Sequence, residues 1–260
     1  MLRKVTGLGI FILILAISGS CSQGGSRFGE IKPMSDICVE RLDNNWLPLE
    51  STAHYGNIGG VLNARFSFYS KNCLCTSYPL LVVEHPGDCI VMVNHQEVSP
   101  MKGLHLRADD DACYELGGMI LDGKNVVVVS RRWKSAPAEM PSAFVAGDFD
   151  VLPDAENGWL LTPAKVLGLG SLKSQGMPFY SSDVSYSRTY EVTGKVKKRT
   201  ALRLGEWKGT LCEVWVNGTK AGEITAGRHK LKIGSFLNPG QNEIEFHVTG
   251  DGLYEEFTIN

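Results

Sequence analysis

A side-chain set turns over a substrate through paired carboxylates, an activated nucleophile or clustered metal ligands, and this chain offers little of any. Asp109, Asp110 and Asp111 are consecutive on a stretch read as a loop. Neighbours on a loop do not make the opposed pair, one carboxyl kept protonated, that general acid–base cleavage needs. Asp148, Asp150, Asp154 and Glu156 carry the oxygen ligands that calcium prefers, so a structural calcium stays open there, although the spacing is not that of an EF-hand loop. Ser and His are present without a G-x-S-x-G elbow, the six histidines are scattered, and Cys73-Leu-Cys75 lacks the second pair or spaced His of a zinc site. The residues suited to contact are a different set. Trp207 in G-E-W-K-G and Trp159 in E-N-G-W stand at turn–strand junctions, Trp215 stands on a strand, and Arg188 lies in Y-S-R-T-Y. A flat apolar ring beside hydrogen-bonding groups suits carbohydrate, whose rings present both C–H faces and hydroxyls. For each tryptophan the competing role is packing, and for Arg188 it is a structural ion pair.

The elements that must position these residues are short strands. From Asp36 onward, alternating or wholly apolar runs are separated by turn signals, and no helical period is sustained. Cys212, Val214 and Val216 alternate with Glu213, Trp215 and Asn217, and Asn217-Gly218 supplies the two positive-φ positions of a type I′ hairpin turn. Ile244, Phe246 and Val248 then point away from Glu243, Glu245 and His247. The same grammar occurs earlier. Cys89 to Asn94 matches Cys212 to Asn217, and Leu121 to Val129 matches Leu237 to Phe246. Arg65 precedes Asn94 by 29 residues, as Arg188 precedes Asn217. This is an internal repeat, read as two tandem copies of one antiparallel β-sandwich. In the first copy His95 replaces the hairpin glycine, which predicts a longer or differently shaped turn. Residues 104–107 and 119–121 are read as further strands of that copy.

These strings resemble the galactose-binding-like β-sandwich, or jelly roll, that accompanies glycoside hydrolases of family 2 and the family 106 α-L-rhamnosidases. A second point of resemblance is the segment 170–181, G-S-L-K-S-Q-G-M-P-F-Y-S, similar to a G-x-P-x-Y-S stretch in the C-terminal sandwich of family 106-like enzymes. Gly147-Asp-Phe149 fits the strand that precedes it there. The resemblance implies an accessory, sugar-binding type of module. Those enzymes hydrolyse in a separate barrel domain, and two sandwiches leave no room for one here.

Composition and charge bound the rest. The formal net charge is −2 and no basic stripe with interleaved aromatics occurs, which argues against nucleic acid. Lys195–Arg199 reads as a basic loop. Arg3 and Lys4, the apolar run 8–17 and the small residues before Cys21 describe a signal peptide, the run being too short to span a bilayer comfortably. The Cys21 context resembles a relaxed lipobox of Bacteroides-type lipoproteins, and that resemblance implies cleavage before Cys21 and lipid on it; an ordinary secretory signal is the alternative. Without the leader, 24 basic residues face 28 acidic ones. Six cysteines remain, Cys38, Cys73, Cys75, Cys89, Cys113 and Cys212, with no assignable disulfide framework; Cys89 and Cys212 read as small buried apolar groups.

The expected organisation is therefore a signal peptide over 1–20, a tether over 21–35, a first sandwich over 36–135 and a second over 136–260. The functional expectation is an exported, non-catalytic, carbohydrate-associated protein held at a bacterial envelope by lipid on Cys21, with no cofactor beyond the calcium left open. The alternatives are a hydrolase fragment or subunit working with a catalytic partner, and a purely structural interaction module. One packing expectation follows from the pattern: residues 80–83, 90–93 and 126–129 are apolar throughout, the mark of strands covered on both faces, so some segment or partner must cover the outside of the first copy.

Overall fold

The computed structural model describes residues 30–56, 59–72, 78–132, 141–227 and 229–259. The leader, Cys21, most of the tether, Cys73, Cys75 and most of the 131–141 join lie outside these. In chain order the strands are β1 (Glu30–Pro33), β2 (Cys38–Arg41), β3 (Asn45–Leu49), β4 (Ser51–Tyr55), β5 (Val61–Ser70), β6 (Leu80–Val83), β7 (Ile90–Val93), β8 (Gln96–Val98), β9 (Ala112–Glu115) and β10 (Gly123–Arg132). They continue as β11 (Ala143–Gly147), β12 (Phe149–Asp154), β13 (Gly158–Pro163), β14 (Asp183–Thr193), β15 (Ala201–Arg203), β16 (Trp207–Val216), β17 (Thr219–Thr225), β18 (Lys230–Lys232), β19 (Gly240–Leu253) and β20 (Thr258–Ile259). Two short 3₁₀ turns interrupt them, and the described residues contain no α-helix. The all-β expectation holds.

Four sheets result. One runs β12-β13-β5-β10-β7-β8, with β4 also on β5; the second runs β3-β11-β6-β9. The third runs β1-β14-β19-β16-β17, with β2 also on β14, and the fourth runs β18-β15-β20. Pairing is antiparallel apart from a two-residue parallel contact between β13 and β5. The first two sheets share one apolar core, which includes Phe66, Phe68, Leu81, Val91, Val127, Val145 and Phe149. The other two share a second core, around Tyr186, Leu202, Val214, Ile233, Phe246 and Phe257.

Sheet membership runs differently from the expected segments. Residues 143–163, assigned by sequence to the second copy, supply β11, β12 and β13 to the first pair of sheets. Residues 30–41, assigned to the tether and first copy, supply β1 and β2 to the third sheet through β14. Strand pairing is a long-range decision, and a join rich in Pro and Ser marks a loop without saying which sheet the chain enters next.

At the matched sequence positions the same polar network recurs. Buried Asn242 donates from Nδ2 to the carbonyls of Asn238 and Gly240, and its Oδ1 accepts from the Asn238 N–H and from Asn217 Nδ2. Asn217 Oδ1 in turn accepts the Glu243 N–H. In the first copy Asn125 does the same with Leu121, Gly123 and Asn94, and Asn94 Oδ1 accepts the Val126 N–H. Both hairpins are two-residue turns with φ positive throughout, 48° and 70° at Asn94-His95 against 52° and 73° at Asn217-Gly218. The first turn is therefore not longer, as expected, but the same turn with a strained histidine in it: the network dictates the geometry and the residue yields.

The arginine match is a coincidence of spacing. Arg188 pairs in register with Ile244, whose counterpart Val127 pairs with Phe66. Arg65 is one position off, and one position puts a strand residue on the opposite face; Arg65 is exposed whereas Arg188 is largely buried.

The covering expectation resolves strand by strand. β6 is buried on both faces, because a third cluster of Trp46, Val82, Cys113 and Ala146 on the outer side of its sheet lies under Leu104 and Leu106. That covering segment, 104–107, is a loop and not the expected strand. Its N–H groups at 106, 107 and 108 all donate to the buried Asp111 carboxylate at 2.6–3.2 Å, so its backbone needs no sheet partner. Residues 119–121 likewise leave a 3₁₀ turn. β7 and β10 alternate instead: Val91, Val93, Val127 and Val129 fill the core, while Met92, Val126 and Val128 face outward, half-buried, beside an exposed Ile90.

Candidate carbohydrate-contacting site

Three segments meet at one end of the second sheet pair: 204–206 between β15 and β16, His229 just before β18, and 254–257 between β19 and β20. Their approach depends on Gly205. A Cβ there would come within 2.6 Å of the Glu256 carbonyl oxygen and 2.7 Å of the Glu255 Cβ. With glycine in place, Tyr254 and Glu255 N–H both donate to the Glu206 carbonyl, at 2.8 and 3.1 Å. The result is a cleft of about 500 Å³ lined by Arg203, Leu204, Gly205, Glu206, His229, Glu255, Glu256 and Thr258. Carboxylates provide acceptors, and the guanidinium, the imidazole and a hydroxyl provide donors, which is the mixed inventory that vicinal hydroxyls satisfy.

Two of the four sequence candidates adjoin this cleft. Trp207 follows Glu206 and packs half-buried on the second core. Its ring lies over Gly209, where a Cβ would approach the indole to 2.8 Å. Arg188 donates from Nε to the Ser35 carbonyl at 2.8 Å and reaches Glu256, a cleft residue, at 3.2 Å. Arg188 therefore positions the cleft wall from inside. Trp159 and Trp215 are elsewhere. Trp159 meets Phe179 edge-on at 4.9 Å and closes the first core. Trp215 lies on the outer face of the third sheet, stacked 5.7 Å from His247, its N–H donated to Glu213. Lys220 bonds Glu213 and Glu223 there, and that bond, against a small opposing effect of burial, holds the Glu213 carboxyl below its usual range. The sequence reading missed Arg203, Glu206, His229, Glu255 and Glu256, and only Gly205, at the turn between β15 and β16, hints that two backbones touch there.

The carboxylates considered for calcium are not gathered. Asp148 pairs with Arg41, Asp154 accepts N–H groups of its own turn from Glu156 and Asn157, and the described residues contain no group of three or more His, Cys, Asp or Glu disposed to hold a metal ion. Asp150 is buried, which raises its carboxyl above the usual range against the opposing pull of Arg41. Its Oδ1 and the Thr162 hydroxyl opposite it on β13 both lack a hydrogen-bond partner. Such an acid could serve catalysis in a cleft, but Gly176 sits directly on it; a Cβ there would fall 2.6 Å from the Asp150 side chain. The cleft carboxylates are the converse case. Glu206, Glu255 and Glu256 are all exposed, so the cleft lacks the desolvated carboxyl a glycosidic acid requires. Cys212 is the buried small group expected, whereas Cys89 is only half-buried. Burial raises both thiols, Cys212 to about 12, with Glu213 adding to the effect.

No family model matches the chain, and no curated protein does. Among solved structures, an α-L-rhamnosidase from Streptomyces avermitilis in complex with L-rhamnose is 14% identical over 90% of this chain and 27% of its own, with a TM-score of 0.32. A rhamnosidase from Novosphingobium sp. PP1Y is 20% identical over 80% of this chain and 21% of its own, TM-score 0.30. A family 2 glycosyl hydrolase from Bacteroides cellulosilyticus DSM 14838 is 10% identical over 75% and 24%, TM-score 0.28. The chain thus spans about a quarter of the length of these proteins. The neighbours are glycoside hydrolases, but scores this low assign no activity, and function rests on the chain's own geometry.

Proposed function

We propose that this chain is an exported, lipid-anchored protein of two tandem galactose-binding-like jelly rolls that contacts carbohydrate at a bacterial envelope without hydrolysing it. The observation that carries the reading is the cleft at the end of the second sheet pair, where Arg203, His229 and Thr258 face Glu206, Glu255 and Glu256 within about 500 Å³. That volume lies in the usual range for small-ligand sites. Its lining is far more polar than such sites usually are, which suits a polyol. Arg203 and the carboxylates form charge-assisted bonds to hydroxyls, the stronger kind.

A glycan panel tests it. The expected result is binding of at least one oligosaccharide that weakens about tenfold in His229→Ala and in Glu255→Gln, the loss of one bond to a charged or polar group. Trp215→Ala, on the far sheet face, leaves binding unchanged. No binding across the panel, or binding indifferent to both cleft variants, overturns the assignment. Aryl-glycoside hydrolysis that survives repurification and disappears when one carboxylate is replaced would overturn the non-catalytic part.

A further inference from the structure

The second sheet pair is electrically two-faced. On the outer face of the fourth sheet, Arg203 and Lys230 are register partners and Lys232 stands opposite Ala201, while Leu202 and Leu231 turn inward. The Thr200 N–H donates to the Lys197 carbonyl, and Ile233 and Gly234 donate to the Thr200 carbonyl. These bonds fold the 194–200 connection against the same sheet and add Lys195, Lys198 and Arg199. All six cations are exposed, and among the described residues none of them makes an ion pair, although Arg203 shares its cleft with Glu206, Glu255 and Glu256. The opposite face, on the third sheet, carries Glu30, Glu40, Glu191, Glu213, Glu223, Glu243 and Glu245 against Lys32 and Lys220. In a chain of net charge −2, this segregation is not a by-product of composition.

The position of the basic face relative to the N-terminal segment supplies its occupant. β1 begins at Glu30, in register with Thr193 and hydrogen-bonded to it, and Thr193 leads directly into the basic connection. Eight residues lie between Cys21 and Glu30, so the two are at most about 32 Å apart. A lipid on Cys21 therefore holds this end of the molecule at the bilayer. Lipid on Cys21 fixes which end of the molecule meets the bilayer, and exposed cations beside it are attracted to an anionic headgroup surface. From these placements, and resting on the lipid-anchor part of the reading above, we infer that the outer face of β18-β15-β20 with residues 195–199 docks on anionic lipid headgroups. The protein then lies with its basic sheet on the membrane and its acidic, Trp215-bearing sheet away from it.

Vesicle co-sedimentation tests this with the mature chain, residues 21–260, carrying Cys21→Ser, so that neither lipid nor the apolar run 8–17 contributes. Phosphatidylcholine vesicles containing phosphatidylglycerol should bind it and pure phosphatidylcholine should not, with binding falling steeply as salt rises. Lys230→Glu with Lys232→Glu should weaken binding by about fivefold or more per cation. Lys195→Glu with Lys198→Glu, in a connection outside the strands, should do the same if the first pair disturbs folding. Glu243→Lys on the opposite face should not reduce it. Equal binding to both vesicles, indifference to both charge reversals, preferential capture by a soluble anionic polysaccharide, or self-association through the acidic face of a second copy would each overturn the inference. Mass measurement of the mature Cys21 peptide reports separately on the anchor, so failure there is distinguishable from failure here.

Discussion

The two copies share a skeleton and differ in what it presents. In both, a buried asparagine ties the corner before the central strand to the asparagine of a two-residue hairpin. Around that common frame the first copy is closed: a loop held by Asp111 covers its smaller sheet, and Trp159 fills its core. The second copy is bare, with a basic smaller sheet, an acidic larger one and a polar cleft between three segments. The polar frame sets register and turn, and is therefore retained, whereas the outward faces carry no such constraint and diverge.

Breaking the frame has the largest effect. Asn242→Ala and Asn125→Ala each orphan several buried donors and acceptors, so each should cost about 3 kcal/mol in urea unfolding. A cost under about 1 kcal/mol in one copy but not the other means that the networks are not equivalent. Next comes the cover of the first copy. Burial works to raise the Asp111 carboxyl, but the N–H donors of Arg107, Ala108 and Leu106 with His105 outweigh it, and the net shift is downward. Asp111 therefore stabilises the fold above its unfolded value of about 3.9, and that stability is lost as pH falls through its lower folded value. Asp111→Asn should cost about 2 kcal/mol at neutral pH, with the difference from the parent shrinking on acidification; a constant difference across pH would assign the loss to shape alone.

The turns give the smallest effects and the sharpest contrast. Gly218 has open space around it, so Gly218→Val should cost about 1–2 kcal/mol from positive-φ strain alone. His95→Gly removes the corresponding strain, partly offset by the flexibility of glycine when unfolded, and should stabilise by no more than about 1 kcal/mol. If both substitutions shift stability in the same direction, the hairpins differ in more than their second residue.

The frame was legible because its signals are local. Asn-Gly after an alternating strand, and the corner before Ile244, specify their geometry within a dozen residues. The arginine spacing misled because equal separations do not guarantee equal faces when one connection shifts the register by a residue. The sheet assignments of 143–163 and 30–41 and the basic face could not be read, since each joins segments far apart in the chain. Lys230 and Lys232 look like ordinary exposed strand residues until Lys195–Arg199 arrives beside them. The cleft has the same origin, in three segments that share no sequence pattern.

The pairing of β1 with β14 has a consequence for how the protein is made. Glu30 finds its partner only at Thr193, 163 residues later, while the entire first sheet pair, from β3 to β13, is contained between them. During synthesis, the first copy has all of its strands once β13 emerges and can close by itself. Strands β1 and β2 must wait unpaired until β14 appears, and the third sheet is completed only by β19. The late step is thus the long loop closure that joins the two ends of the chain around a finished insert, and it should dominate the folding time, as high-separation contacts do. Until then two short edge strands are exposed, and Lys32, Pro33 and Glu40 on them are residues of the kind that discourage pairing with a stranger.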